Sequence, residues 1–126
     1  MALAASPGRD VGREHAELLL DLICGLDAPR HARSPLLAYA IVISDAGTGT
    51  PGTLAAGLRW AAGLNPDAVA VPCGLRADAP EVRAASDMVL ESGAALFAAV
   101  GNPLAGQRSA LYPAAYPGAI AVGAPS

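Results

Sequence analysis

The sequence predicts an α/β protein with a mainly parallel sheet. Its continuous apolar runs have the length of strands and are bounded by Gly or Pro, which is typical of buried parallel strands. Between these runs lie segments whose apolar residues recur every three or four positions, as on one face of a helix. Strands that alternate with helices are joined by right-handed crossovers. We therefore expect a three-layer sandwich in which helices cover both faces of about four strands.

The chain divides into a short leader and one domain. Residues 1–11 include Gly and Pro and show no periodic pattern, so we expect a flexible leader there. Residues 12–126 form the predicted domain, which opens with an amphipathic helix over residues 12–26.

The remaining elements alternate along the domain. We predict strands over 36–43, 67–71, 94–100 and 119–122, and helices over 53–64 and 79–92. In the last helix, Asp78 suits the N-cap, Pro80 suits the first turn and Gly93 suits the end.

Composition excludes several classes of function. The 126 residues carry a net charge of −3, with eight Arg and no Lys, so no basic field for nucleic acid is expected. No apolar run reaches the length of a membrane span. The first residues lack the basic and apolar regions of a signal peptide, and we expect a cytoplasmic protein.

The cysteines give no sign of a metal or disulfide framework. Cys24 and Cys73 fit no metal-ligand spacing, and free thiols in a reducing compartment are the simplest interpretation. We expect neither a metal nor a cofactor.

The most specific motifs lie in the last third of the chain, AAVGNPL at 98–104 and YPAAYPGAIAVGA at 112–124. Together they resemble the subtilase family of serine peptidases, in which A-A-G-N carries the oxyanion-hole asparagine and Y-P-A-x-Y-P-x-V-I-A-V-G-A follows it. Upstream, GREHAEL at 12–18 is similar to the family's histidine motif H-G-T-H-V-A-G, although its first His and its Thr are absent. The resemblance covers about 12–124 and implies a truncated subtilisin-like fold.

The resemblance implies roles for particular residues. His15 corresponds to the general base, and Asn102 to the donor that stabilises the oxyanion. A further set corresponds to the edges that clamp a peptide substrate as an added strand. These substrate-binding residues are Gly47, Thr48, Gly49, Pro72, Cys73, Gly74 and Gly101.

Two family motifs are not found in the sequence. These are D-S-G or D-T-G, with the aspartate that orients the histidine, and G-T-S-M-A, with the nucleophilic serine. We therefore expect an incomplete triad, and leave open whether the chain is a serine endopeptidase. The leading hypothesis is a subtilisin-like peptidase homologue that acts on or binds peptides, for example in precursor-peptide maturation. The alternative is a non-catalytic peptide-binding pseudopeptidase or one part of a split peptidase.

Two other chemistries stay open. GTGTPG at 47–52 fits the dinucleotide pattern G-x-G-x-x-G, but Asp67 begins its strand, whereas a ribose-binding acid should end one. Cys73 and His15 would form a thiol–imidazole pair if both faced the same cleft.

The predicted partners are a peptide or protein substrate and a protein that covers the sheet. The runs 94–100 and 119–122 contain no charged residue, and exposed apolar strands are usually covered. We therefore expect a homo-oligomer, or a partner that supplies the missing layer.

Overall fold

The computed structural model describes residues 2–5, 38–43, 49–101 and 109–123. In chain order, the elements are β1 (Ala2–Ala5), β2 (Tyr39–Ile43), α1 (Pro51–Ala62), β3 (Ala68–Val71), α2 (Pro80–Glu91), β4 (Ala95–Ala99) and β5 (Ile120–Val122). The strands and helices predicted from residue 36 onward are confirmed, with ends that differ by up to three residues. The helix predicted over 12–26 lies outside the described residues.

Strand β1 differs from the sequence prediction, which treated residues 1–11 as a flexible leader. Ala2–Ala5 pair in parallel with β2, with Ala2 opposite Tyr39 and Ala4 opposite Ile41. Four apolar residues, three of them alanine, are too short a run to show a period, and pairing with β2 makes them a strand. The leader prediction is wrong for these four residues, while residues 6–11 lie outside the described ranges.

Every strand pair in the described part of the chain is parallel. β1 pairs with β2, and β3, β4 and β5 pair in that order. These pairs form a two-stranded sheet and a three-stranded sheet, and β1 also contacts β3. In open α/β sheets, binding sites lie outside the carboxyl ends of the strands.

One face of the sheet is buried beneath both described helices. Along β3 and β4, fully buried side chains alternate with less buried ones, because successive residues of a strand point to opposite faces. The core combines Val69, Val71, Leu96 and Ala98 of the sheet with Leu54, Leu58, Val82 and Val89 of the helices. The α/β prediction with a parallel sheet is confirmed.

The opposite face of β4 and β5 carries exposed apolar side chains. Phe97, Ile120 and Val122 are 37%, 46% and 50% exposed, and they share a face because Phe97 lies opposite Ile120 in the parallel register. Within the described ranges both helices lie on the other face. Association with a second copy or a partner stays a prediction, and this face is where we expect the contact.

Helix α1 begins two residues before its predicted start because Thr50 caps it. The Thr53 N–H donates to Thr50 Oγ1 at 3.1 Å, and the Thr50 N–H donates to Thr53 Oγ1 at 3.1 Å. This reciprocal pair is a capping box, and Pro51 suits the first position. The Thr53 hydroxyl also donates to the Val42 carbonyl at 3.0 Å, which ties the helix to the end of β2.

Helix α2 corrects a second local prediction. Its N-cap is Ala79, which makes no side-chain capping bond, rather than Asp78. The Ala79 N–H instead donates to the hydroxyl of Tyr116 at 3.1 Å. Gly93, with φ +91°, follows the helix as predicted. Each described helix has 12 residues, and neither has the length and apolar character that a membrane span requires.

Candidate functional site

The structure describes five of the nine predicted site residues. Gly49, Pro72, Cys73, Gly74 and Gly101 lie within the described ranges. The four others, His15, Gly47, Thr48 and Asn102, lie outside them, so their roles stay predictions.

The ends of β3 and β4 bring four of these residues to one edge of the sheet. Pro72–Gly74 directly follow β3, and Gly101 follows β4 after Val100. Because β3 and β4 are parallel neighbours, their carboxyl ends point the same way. Gly101 has φ +105°, which is costly for residues with a side chain, and so glycine suits this turn before Asn102.

Segment 111–112 crosses between the two strand ends. Leu75 and Tyr112 form an antiparallel bridge in which each N–H donates to the other's carbonyl at 2.8 Å. The Leu111 N–H donates to the Val100 carbonyl at 3.0 Å. The loop after β4 is therefore joined by backbone hydrogen bonds to both strand ends.

Gly74 lies so close to this segment that no side chain fits there. A Cβ on Gly74 would be 2.7 Å from Leu111 Cβ and 2.8 Å from the Tyr112 carbonyl oxygen. Both distances are shorter than van der Waals contact. Glycine at this position therefore has a packing reason in addition to any part in binding a ligand.

A pair of tyrosines anchors the same loop to α2. The rings of Tyr112 and Tyr116 have centroids 4.9 Å apart. The Tyr116 hydroxyl donates to Asp78 Oδ1 at 2.6 Å and accepts from the Ala79 N–H. Burial, and next the bond to Asp78, raise the pKa of Tyr116, so this hydroxyl stays protonated and able to donate at neutral pH.

Sequence reasoning missed the contribution of Leu111, Tyr112 and Tyr116 to this edge. A signal was available, because two of the three tyrosines in a chain that is only 4% aromatic lie four residues apart in this loop. Their partners, Leu75 and Ala79, are distant in sequence and show no matching pattern.

The thiol of Cys73 is poorly suited to act as a nucleophile. Burial raises the pKa of the Cys73 thiol from 9.0 to about 11, so the neutral form dominates at physiological pH. Because the thiolate is the reactive form, the thiol–imidazole hypothesis is not favoured.

The start of α1 does not favour dinucleotide binding. Phosphate sites at helix N-termini need free amide donors, but Pro51 has no N–H. The N–H groups of Thr53 and Leu54 donate to the side-chain and main-chain oxygens of Thr50. Among the described residues, no group of three or more His, Cys, Asp or Glu side chains could hold a metal ion.

Comparison with solved structures identifies the fold. Sphericase matches with a TM-score of 0.58 and 29% identity, over 70% of this chain and 30% of that one. A point mutant of the protease domain of PatA matches with a TM-score of 0.74 and 20% identity, over all of this chain and 49% of that one. This chain therefore spans less than half the length of each.

Both neighbours are subtilisin-like proteases, and the chain has a subtilase-like α/β fold in its central region. The fold implied by the sequence motifs is confirmed. No protein-family model and no curated protein matches the chain.

Gly74→Ala should destabilise the protein by about 1–3 kcal/mol, because the new methyl group overpacks the contact with Leu111. Gly52→Ala is the matched control, since its Cβ would lie 3.7 Å from Thr50 Oγ1 in a helix, where alanine is preferred. Urea unfolding measures both variants. Equal stabilities for the two would show that the Gly74 contact is not tight.

Cys73 should react slowly with iodoacetamide at pH 8 in the folded protein and much faster in urea, because its raised pKa keeps the thiolate scarce. Because the folded state favours the neutral thiol, Cys73 does not lower the free energy of unfolding below about pH 9. That free energy should fall as the pH rises from about 9 through about 11, where the buried thiol ionises. Mass spectrometry of tryptic peptides separates Cys73 from Cys24. Labelling of folded Cys73 at the unfolded rate would contradict the assignment.

Proposed function

We propose that this chain is a subtilisin-like peptidase homologue that binds an extended peptide as an added strand along Pro72–Gly74. The observation that carries the proposal is the pairing of Leu75 with Tyr112 on one side of this segment. Among the described residues, no backbone hydrogen bond occupies the opposite side of the segment, and we assign that side to the ligand.

The direction of the backbone N–H and C=O groups, which alternates from residue to residue in an extended chain, supports this choice of edge. Leu75 directs both its N–H and its C=O to Tyr112. Residues from Pro72 to Leu75 have no positive φ, consistent with extended backbone. Because successive residues of such a chain present their polar groups to opposite sides, the groups of Gly74 face away from Tyr112, together with the carbonyl of Pro72.

Strand addition suits this edge chemically. Main-chain hydrogen bonds supply affinity in this mode of recognition, and side-chain pockets supply specificity. Pro72 offers only a carbonyl, since proline has no N–H, whereas Gly74 offers both a donor and an acceptor.

The subtilisin-like neighbours support an extension of the proposal to catalysis. In that chemistry, Asn102 would donate to the oxyanion that forms on the scissile carbonyl, and His15 would act as general base. Where a serine nucleophile meets these residues, the activity we propose is cleavage of a precursor peptide. Without one, the proposed activity is binding of peptide as a non-catalytic relative.

Amide hydrogen exchange tests the binding edge residue by residue. A blocked, alanine-based hexapeptide should slow exchange at the Gly74 N–H, because that donor becomes paired with the peptide. The Leu75 N–H is the internal control, since its bond to the Tyr112 carbonyl already protects it. A bound peptide that leaves Gly74 exchange unchanged would contradict the proposal.

A further inference from the structure

We propose that the hydroxyl of Tyr116 positions the Pro72–Gly74 edge for the peptide by holding the bridge between Leu75 and Tyr112 closed. This inference rests on the strand-addition function proposed above and adds the residue on which the shape of that edge depends. Tyr116 is a positioning residue, because it acts on the edge through other residues.

The hydroxyl of Tyr116 lies in a buried, hydrogen-bonded position at the start of α2. Tyr116 is 4% exposed, and its hydroxyl oxygen lies 2.6 Å from Asp78 Oδ1, 3.0 Å from the Ala79 carbonyl oxygen and 3.1 Å from the Ala79 nitrogen. A hydroxyl has one proton to donate, and the shorter contact assigns that proton to Asp78. Because hydrogen bonds to a charged acceptor are stronger than neutral ones, the bond to Asp78 is the strongest that this hydroxyl makes.

This bond, rather than the neighbouring ion pair, fixes the Tyr116 ring. The guanidinium carbon of Arg83 lies 5.5 Å from the ring centroid, and Arg83 also pairs with Asp78 at 3.9 Å. Both charged side chains are half-exposed, and an ion pair in contact with water contributes little to stability.

Segments 75–79 and 112–116 are joined at both ends. At one end, Leu75 and Tyr112 exchange two backbone hydrogen bonds of 2.8 Å. At the other end, the Tyr116 hydroxyl is bonded to Asp78 and Ala79. The two ends close one ring of bonds, so loss of the hydroxyl at one end leaves the bridge at the other end free to open.

The turn over residues 112–116 couples the two ends. The Ala115 N–H donates to the Leu111 carbonyl at 2.9 Å, and the Tyr116 N–H donates to the Pro113 carbonyl at 3.0 Å. These bonds fix the backbone of the turn, and movement of the Tyr116 ring is therefore transmitted to the bridge.

An open bridge makes the edge a poorer binding site. The N–H and C=O of Leu75 then lose their fixed direction, and those of Gly74 lose theirs with them. A peptide must order the segment before it can pair with it, which costs affinity. The apparent affinity falls in proportion to the fraction of protein in which the bridge is closed.

Peptide affinity and amide exchange test the inference. Tyr116→Phe removes the hydroxyl and keeps the ring. It should raise the Kd of the blocked, alanine-based hexapeptide by about tenfold, as expected for the loss of one hydrogen bond to a charged acceptor. Exchange of the Leu75 N–H in the free protein should become faster by a similar factor. Fluorescence anisotropy measures the Kd, and NMR measures the exchange rate.

Ser86→Ala is the matched control for a loss of stability alone. The Ser86 hydroxyl is buried in α2 and donates to the Val82 carbonyl at 2.8 Å. Its removal also deletes a buried hydroxyl bond, but one that stays within the helix. This variant should lower the free energy of unfolding and leave the peptide Kd and the Leu75 exchange rate at their wild-type values. If Tyr116 served stability alone, Tyr116→Phe would behave in the same way.

Variants of Asp78 keep the test valid if Tyr116→Phe folds poorly. Asp78 is half-exposed, so Asp78→Ala removes the acceptor with little loss of packing and should raise the peptide Kd as Tyr116→Phe does. Asp78→Asn keeps an acceptor oxygen and should restore part of the affinity. The double variant Tyr116→Phe/Asp78→Ala should bind no more weakly than Tyr116→Phe, because the two residues act through one bond.

The outcomes separate the inference from the function beneath it. A higher Kd and faster Leu75 exchange in Tyr116→Phe and Asp78→Ala, with neither change in Ser86→Ala, support the inference. Suppose instead that the peptide protects the Gly74 amide of the wild-type protein. If the Kd or the Leu75 exchange is then unchanged in the Tyr116 and Asp78 variants, or Ser86→Ala weakens binding as much, the inference is overturned and the proposed function stands. If no peptide protects the wild-type Gly74 amide, the proposed function fails, and the inference fails with it.

Discussion

Burial of one apolar face of the sheet is the interaction on which the stability of this fold depends. Val69 and Val71 of β3 and Leu96 of β4 are fully buried beneath α1 and α2, and burial of each such side chain is worth roughly 1.5–3 kcal/mol. Because the helices are crossovers between parallel strands, this burial also points the strands the same way. The carboxyl ends of β3 and β4 then lie at one edge, where Pro72–Gly74 follow β3 and Gly101 follows β4.

The loop after β4 determines what that edge can do. Its backbone pairs with Leu75 and with Val100, which closes one side of the Pro72–Gly74 segment. Among the described residues, no backbone hydrogen bond closes the other side, where we propose that a peptide binds. The same pairing positions the Leu111 side chain against Gly74. The proposed recognition of a peptide backbone would thus depend on a short segment that lies close to Tyr116, whose hydroxyl is bonded to Asp78 and Ala79.

The parts that sequence could predict are those with a local pattern. Apolar runs and helical spacings identified the elements from β2 to β5, and the motif at 112–124 indicated the fold that the structural neighbours confirm. Pairing between segments that are distant in sequence leaves no periodic pattern in either of them. The sequence therefore did not reveal β1, because Ala2–Ala5 form a strand only by pairing with β2. For the same reason Asp78 was taken as the N-cap, because nothing local shows that Tyr116 reaches the Ala79 N–H. The placement of Leu111 against Gly74 is likewise visible only in three dimensions.

The scalar coupling across a hydrogen bond measures the central claim most directly. With ¹⁵N-labelled protein and a hexapeptide carrying ¹³C-labelled carbonyls, coupling between the Gly74 nitrogen and a peptide carbonyl carbon should appear on binding. In ¹³C,¹⁵N-labelled protein, the coupling between the Leu75 nitrogen and the Tyr112 carbonyl should be present with and without peptide, because that bond is 2.8 Å long in the free chain. A saturated complex that shows the Leu75 coupling but none at Gly74 would contradict strand addition at this edge.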